Sequence, residues 1–149
     1  MSDSTNDLTF VTLTVDDYAA VCDLWRLAGL PFKAIGRDSR EQFAAQIASG
    51  LQTVIGVRID DRLVGVVLTT HDGRKGWINR LAVHPDCRRQ GIGMLLIEEA
   101  EQVLYRQGMQ VIAALIEDEN TASLQLFARA GYGDYPSLHY VSKRKNHDV

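Results

Sequence analysis

The stretch "INRLAVHPDCRRQGIGMLLIEEAE", Ile78 to Glu101, decides the fold. Its front half is apolar and stops at Pro85, which cannot donate to a strand ladder, so Trp77 to Val83 is predicted as a strand. Its back half changes period. Ile92, Leu95, Leu96, Ala100, Val103 and Leu104 recur at steps of three and four, predicting an amphipathic helix that Gly108 closes, with Glu98, Glu99 and Glu101 facing away. Between the halves, Arg88 and Arg89 stand beside Gly91 and Gly93, although glycine weakens the helix it begins. A strand, a short turn and a helix start aim unpaired N–H groups and the positive end of the helix dipole at one point, which suits a phosphate-type anion. Gly91 would let the backbone approach that anion without a Cβ in the way, and Gly93 would let the helix start pack closely. The two arginines would add charge-assisted hydrogen bonds. Spacing alone leaves open a glycine-softened turn with two solvated arginines. It excludes a Walker loop, because no GK[ST] follows, and the dinucleotide fingerprint, because GxGxxG is incomplete.

Working outward, Leu8 to Thr14 reads as a strand, and Thr14 with Asp17 as a capping box ahead of a helix whose apolar positions include Tyr18, Val21, Cys22 and Trp25 and which stops at Gly29. "GLPFKAIGRDSR" follows as a loop. Asp38 and Glu41 offer a second capping signal before a short helix ending near Gly50. Thr53 to Ile59 and Leu63 to Thr69, separated by "DDR", form the pattern of an antiparallel hairpin, and "HDGRKG" turns the chain again. Downstream, Val111 to Ile116 is a continuous apolar run, as in a strand buried on both faces. A helix from Thr121 to Ala130 ends at Gly131, and Leu138 to Lys143 is a candidate final strand. The crossover helix between Trp77 and Val111 implies one right-handed parallel pair in an otherwise mixed α/β sheet.

Composition narrows the function. A chain of 149 residues that is 46% hydrophobic, with three prolines, fits one compact domain, with residues 1–7 and 144–149 as tails. Met1 to Asp7 are polar and lack the basic start and apolar run expected of a signal peptide, and no apolar stretch reaches the length expected of a spanning helix, so a cytoplasmic protein is expected. Cys22 and Cys87 are too few for a disulfide framework and lack metal-ligand spacing, so no metal is expected. A net charge of -3 argues against a nucleic-acid binder.

"RRQGIG", inside the quoted stretch, together with "NTASLQLFARAGY" from Asn120 to Tyr132, resembles the GNAT superfamily of acyl-CoA-dependent N-acyltransferases. The first motif matches that family's [QR]xxGx[GA] pyrophosphate loop at Arg88, Gly91 and Gly93, and the order of elements matches from Leu8 to about Ser142. The resemblance implies a mixed, mostly antiparallel sheet with a splayed parallel pair and about four helices, and acetyl-CoA as co-substrate. It implies that Arg88, Arg89, Gln90, Gly91, Ile92, Gly93 and Met94 surround the pyrophosphate. Leu81, Ala82 and Val83 would hold the pantetheine arm, as an extended ligand adds to a free strand edge. It further implies that the Leu81 N–H polarises the thioester carbonyl and that Asn120 and Phe127 lie on the cofactor side. Phe32, Arg37 and Asn79 are the implied acceptor contacts; Lys33, Asp38 and Arg40 share the same loop.

The implied reaction is direct attack of an amine on the thioester. Deprotonating a lysine-like ammonium at pH 7 costs about 4.6 kcal/mol, against about 1.1 for an α-amino group, so a general base matters most for strongly basic acceptors. Relatives place a carboxylate five residues before the asparagine; here that position is Leu115. Glu117, one pleat repeat on, is the candidate base, with His84 second. Relatives also place a tyrosine acid seven residues after the asparagine, where this chain has Phe127, leaving water, Tyr132 or Tyr135 as substitutes. The leading expectation is an N-acetyltransferase acting on a primary amine of a small molecule or a protein N-terminus, with a homodimer left open. A non-catalytic acyl-CoA sensor is the alternative, favoured by Leu115 and Phe127. A nucleotide-phosphate binder is disfavoured, because no magnesium-binding Ser or Thr follows the loop.

Overall fold

In the computed structural model, which describes residues 8–147, five strands form one sheet in chain order. The elements are β1 (Leu8–Thr12), α1 (Tyr18–Leu27), α2 (Arg40–Ala48), β2 (Gln52–Ile59), β3 (Arg62–His71), β4 (Gly76–Val83), α3 (Ile92–Arg106), β5 (Ile112–Ala113) and α4 (Thr121–Arg129). Strands β1 to β4 pair antiparallel, and β4 pairs parallel with β5. The β2–β3 connection is tight because Asp60 and Asp61 both adopt left-handed backbone, φ 50° and 66°, whose twist matches that of the flanking strands.

The sheet separates two apolar layers. On one side Ile92, Leu96, Ile97, Ala100 and Leu104 of α3 and Phe127 of α4 pack on Ile55, Val57, Val64, Val67 and Ile78. On the other, Val21, Cys22, Leu24 and Trp25 of α1 and Phe43 of α2 pack on Val54, Val66, Leu68 and Ala82. The spacing of three and four read in the sequence thus becomes one face of α3, and truncating a fully buried leucine such as Leu96 or Leu104 costs about 2–5 kcal/mol. No helix among the described residues is long and apolar enough to cross a membrane.

Four local expectations need correction. Leu138 to Lys143 forms no strand: Leu138, Tyr140 and Val141 are exposed, and β-rich composition cannot make a strand without a partner. Strand β5 covers only Ile112–Ala113 of the run from Val111 to Ile116, and it is not buried on both faces, since Val111 and Leu115 are exposed. Asp38 and Glu41 do not cap α2. Ser39 does, accepting a hydrogen bond from the Gln42 N–H at 3.2 Å. Glu101 does not face solvent freely but accepts a 2.6 Å hydrogen bond from the Tyr132 hydroxyl. The Thr14–Asp17 capping box is formed, over a single 3-10 turn that leads into α1.

Candidate active site

Two breaks in regular pairing lie on β4. The first is a bulge toward β3: Val66 faces Ala82 and Leu68 faces Asn79, so Arg80 and Leu81 together oppose the single Val67. Arg80 carries the strain of that extra residue, at φ 53°. The second break is toward β5. The parallel ladder pairs Gly76 with Ile112 and Trp77 with Ala113, then stops although both chains continue. From Ile78 on, the far edge of β4 has no strand partner among the described residues, leaving main-chain groups open to an extended ligand.

At the end of β4 the chain makes a 3-10 turn, Pro85–Cys87, capped by His84, whose Nδ1 accepts the Asp86 N–H at 3.1 Å. Buried Cys87 anchors the turn. The backbone then runs extended at Arg88, left-handed at Arg89 (φ 67°) and left-handed again at Gly91 (φ 79°), which is the N-cap of α3. Glycine gives α3 no side-chain cap, and its first turn holds no acidic residue, so the leading N–H groups and the helix dipole are uncompensated. A Cβ on Gly91 would meet nothing within 4 Å, so its surroundings are open. A Cβ on Gly93 would lie 2.9 Å from Leu126 Cδ2, so Gly93 lets α4 approach the start of α3. Arg88, Arg89 and Gln90 are exposed, and neither arginine has an acidic partner among the described residues. An open, positively polarised, uncapped helix start fits a diphosphate.

The remaining expected residues divide by burial. Ile92 and Ala82 are core, so only their main chain is available to a ligand; Leu81, Val83, Gly93 and Met94 are half-buried around the break. Asn120 is exposed and caps α4, accepting the Ser123 N–H at 3.1 Å. Phe127 is buried, edge-on to Tyr132 with centroids 5.0 Å apart, so its ring serves packing rather than proton transfer. The Tyr132 hydroxyl is held by Glu101, and burial, then that hydrogen bond, push its pKa well above the usual phenol value. Along 114–117, Ala114 and Ile116 pack on the core while Leu115 and Glu117 are exposed, so the two-residue alternation persists past the end of β5. The Nδ1 lone pair of His84 is engaged by the Asp86 N–H.

On the opposite side of β4, Asn79 Nδ2 donates to Thr70 Oγ1 at 3.1 Å. Phe32 packs on Trp25 with ring centroids 5.3 Å apart, beneath the Arg26 guanidinium. Arg37 is exposed, its Nε 3.6 Å from Asp38 Oδ2. A cluster that the sequence did not reveal lies here. Arg80 Nη2 donates to Asp38 Oδ2 at 2.9 Å and Nη1 to the Pro31 carbonyl at 3.2 Å, with the guanidinium 4.8 Å over the Trp25 ring. The buried Trp25 indole N–H has no hydrogen-bond partner among the described residues. Nothing in the local pattern around Arg80 signals this cluster, because its partners lie 42 and 49 residues away.

Comparison with known proteins agrees with this geometry. A family model described as "Acetyltransferase (GNAT) family" matches residues 18–132. An acetyltransferase of Pectobacterium atrosepticum is 27% identical over 119 residues, covering 78% of this chain and 82% of that protein. Among solved structures, an aminoglycoside acetyltransferase from an uncultured soil metagenomic sample, in complex with trehalose, superposes with a TM-score of 0.79 at 19% identity, covering 96% of this chain and all of that one (100%). The PaiA N-acetyltransferase of Thermoplasma acidophilum, in complex with coenzyme A, gives a TM-score of 0.71 at 18% identity, covering 87% and 89% of the two chains. The sheet order, the broken parallel pair and the family match over most of its length lead to one conclusion: this chain belongs to the GNAT family of acetyltransferases.

Proposed function

We propose that the protein transfers the acetyl group of acetyl-CoA to a primary amine, on a small molecule or a protein N-terminus, by direct attack. The observation that carries this reading is the uncapped start of α3 at Gly91, open to solvent and placed at the end of a strand whose outer edge has lost its partner. Main-chain N–H groups of 90–94 and the Arg88 and Arg89 guanidinium groups hold the diphosphate, at roughly 1.5–3 kcal/mol for each charge-assisted bond before solvent screening. The free edge of β4 at Leu81 and Val83 receives the pantetheine arm. The thioester supplies an activated carbonyl, and the N–H of Leu81, a bulge residue, stabilises the negative charge that develops on its oxygen.

Proton removal from the amine is the step the site supports least. Glu117 is exposed, so it takes the proton through water. An α-amino acceptor, which needs little help at neutral pH, therefore suits the site better than a lysine-like one. The solved neighbour named as an aminoglycoside acetyltransferase makes a small polyamine sugar the first acceptor to try. A second reading, a non-catalytic acyl-CoA sensor, draws on two observations: Leu115 and Phe127 place no titratable group where relatives carry them, and Phe127 is in the core.

A thiol-release assay separates the two. Acetyl-CoA is incubated with sisomicin, spermidine, free amino acids or an alanine-terminated peptide, while CoA binding is followed by calorimetry. Transfer predicts thiol release with at least one amine and a fall of about tenfold in rate for Glu117→Gln. Tight CoA binding with no release from any amine would replace transfer by sensing, and no binding of CoA would remove both.

A further inference from the structure

The β4 bulge does not stand alone. Arg80 is held in left-handed backbone, a conformation costly for a long L side chain, and such strain persists only where surroundings over-determine it. Here the surroundings are the loop between α1 and α2. One guanidinium reaches both ends of that loop, the Pro31 carbonyl and the Asp38 carboxylate, and sits over the Trp25 ring of α1. Asp38 is itself a junction. Its Oδ2 also accepts the Lys33 N–H at 2.7 Å, and its carbonyl accepts the Tyr18 hydroxyl at 2.6 Å. The side chains of Arg80 and Asp38 are 18% and 12% exposed, so water and salt screen them little. A desolvated ion pair is weak evidence for stability, and a strained backbone counts against it, so stability alone does not account for the arrangement.

We propose that Arg80 is a positioning residue: its guanidinium ties the loop 31–38 to the bulge of β4, so that the wall facing the acceptor amine and the Leu81 N–H keep one fixed geometry. This rests on the transfer reaction proposed above. The amine must reach a carbonyl held at Leu81, and Arg80 is the residue before it, so any drift of the loop changes the approach of nucleophile to carbonyl. Lysine cannot replace it: an ammonium is a point charge, whereas the planar fork serves a carbonyl, a carboxylate and an aromatic face together.

Arg80→Gly in the full chain tests the idea, because glycine tolerates φ 53° and keeps the bulge while removing the side chain. Kinetics use the fastest amine of the four-member panel. We expect kcat to fall by about tenfold or more and the amine KM to rise, with the acetyl-CoA KM within about twofold of wild type. Hydrogen exchange of peptides spanning 30–40 should quicken while the central strands stay protected. Arg80→Lys should recover only part of the rate, and Asp38→Asn should add little to Arg80→Gly. Unchanged kcat and amine KM in Arg80→Gly, or unchanged exchange in that loop, overturns the proposal. A wild-type protein that acetylates none of the amines removes the transfer reading instead, and the exchange experiment still decides whether Arg80 holds the loop.

Discussion

Two glycines two residues apart do different work, and the difference is measurable. Gly91 sits at φ 79° with open space around it, whereas Gly93 has ordinary backbone and a leucine methyl where its Cβ would go. Gly91→Val is expected to weaken CoA binding by about tenfold or more, because its branched side chain enters the anion's space and resists left-handed backbone. Gly93→Val is expected to act mainly on stability, pushing α4 off α3 through Leu126. Calorimetric affinity and thermal melting of both variants check this, and equal effects on both readouts would contradict it. Sequence showed these residues because two arginines beside two glycines at a helix start form a local pattern that needs no distant partner. Asp38 was misread for the opposite reason: carboxylate followed by Glu41 satisfies a local capping rule, while its true partner Arg80 is distant in the chain.

At the scale of elements, apolar patterning and cap signals found the four α-helices and the four antiparallel strands of the described residues; α1 and α3 bury continuous apolar faces, whereas α2 and α4 bury only Phe43 and Phe127. It overextended the fifth strand. An apolar run reports that side chains seek cover, not that the backbone has a ladder partner, and here the β4–β5 ladder ends after two pairs while β4 stays paired with β3. Glu117 inherited that error in part, because its placement assumed a continuing strand, although the alternation of exposure carries on to it. Leu115, at 62% exposure, tests whether the missing carboxylate limits the reaction. Leu115→Glu should change stability little and raise the rate near pH 7 more for a lysine-like amine than for an α-amine, by up to about tenfold. A pH–rate profile with each amine checks it; equal gains for both would exclude proton removal as the slow step.

For the whole molecule, alkaline pH is the weak side. Burial pushes the Tyr18 phenol up to about 12, and burial with the Glu101 hydrogen bond raises Tyr132 further. A phenol whose pKa is raised on folding stabilises the fold fully below its unfolded value near ~10 and loses that contribution as pH climbs through the folded value. Urea midpoints should therefore hold up to about pH 10 and decline above it, with a shallower decline in Tyr132→Phe. A parallel decline in that variant would assign the sensitivity to other groups.

The two-rung junction of β4 and β5 has a thermodynamic corollary. With Gly76–Ile112 and Trp77–Ala113 as its only ladder pairs among the described residues, the fifth strand and the segment after it are held by Ile112, Ala114 and Ile116 lying on the apolar layer beneath, so prising it loose sacrifices few main-chain bonds. A ligand threaded into the fork would bridge its two arms like a surrogate strand. Occupancy at a hundred times Kd contributes about 2.7 kcal/mol to the native state, and that increment should concentrate at this seam, turning a sparsely paired edge of the sheet into a firmer one.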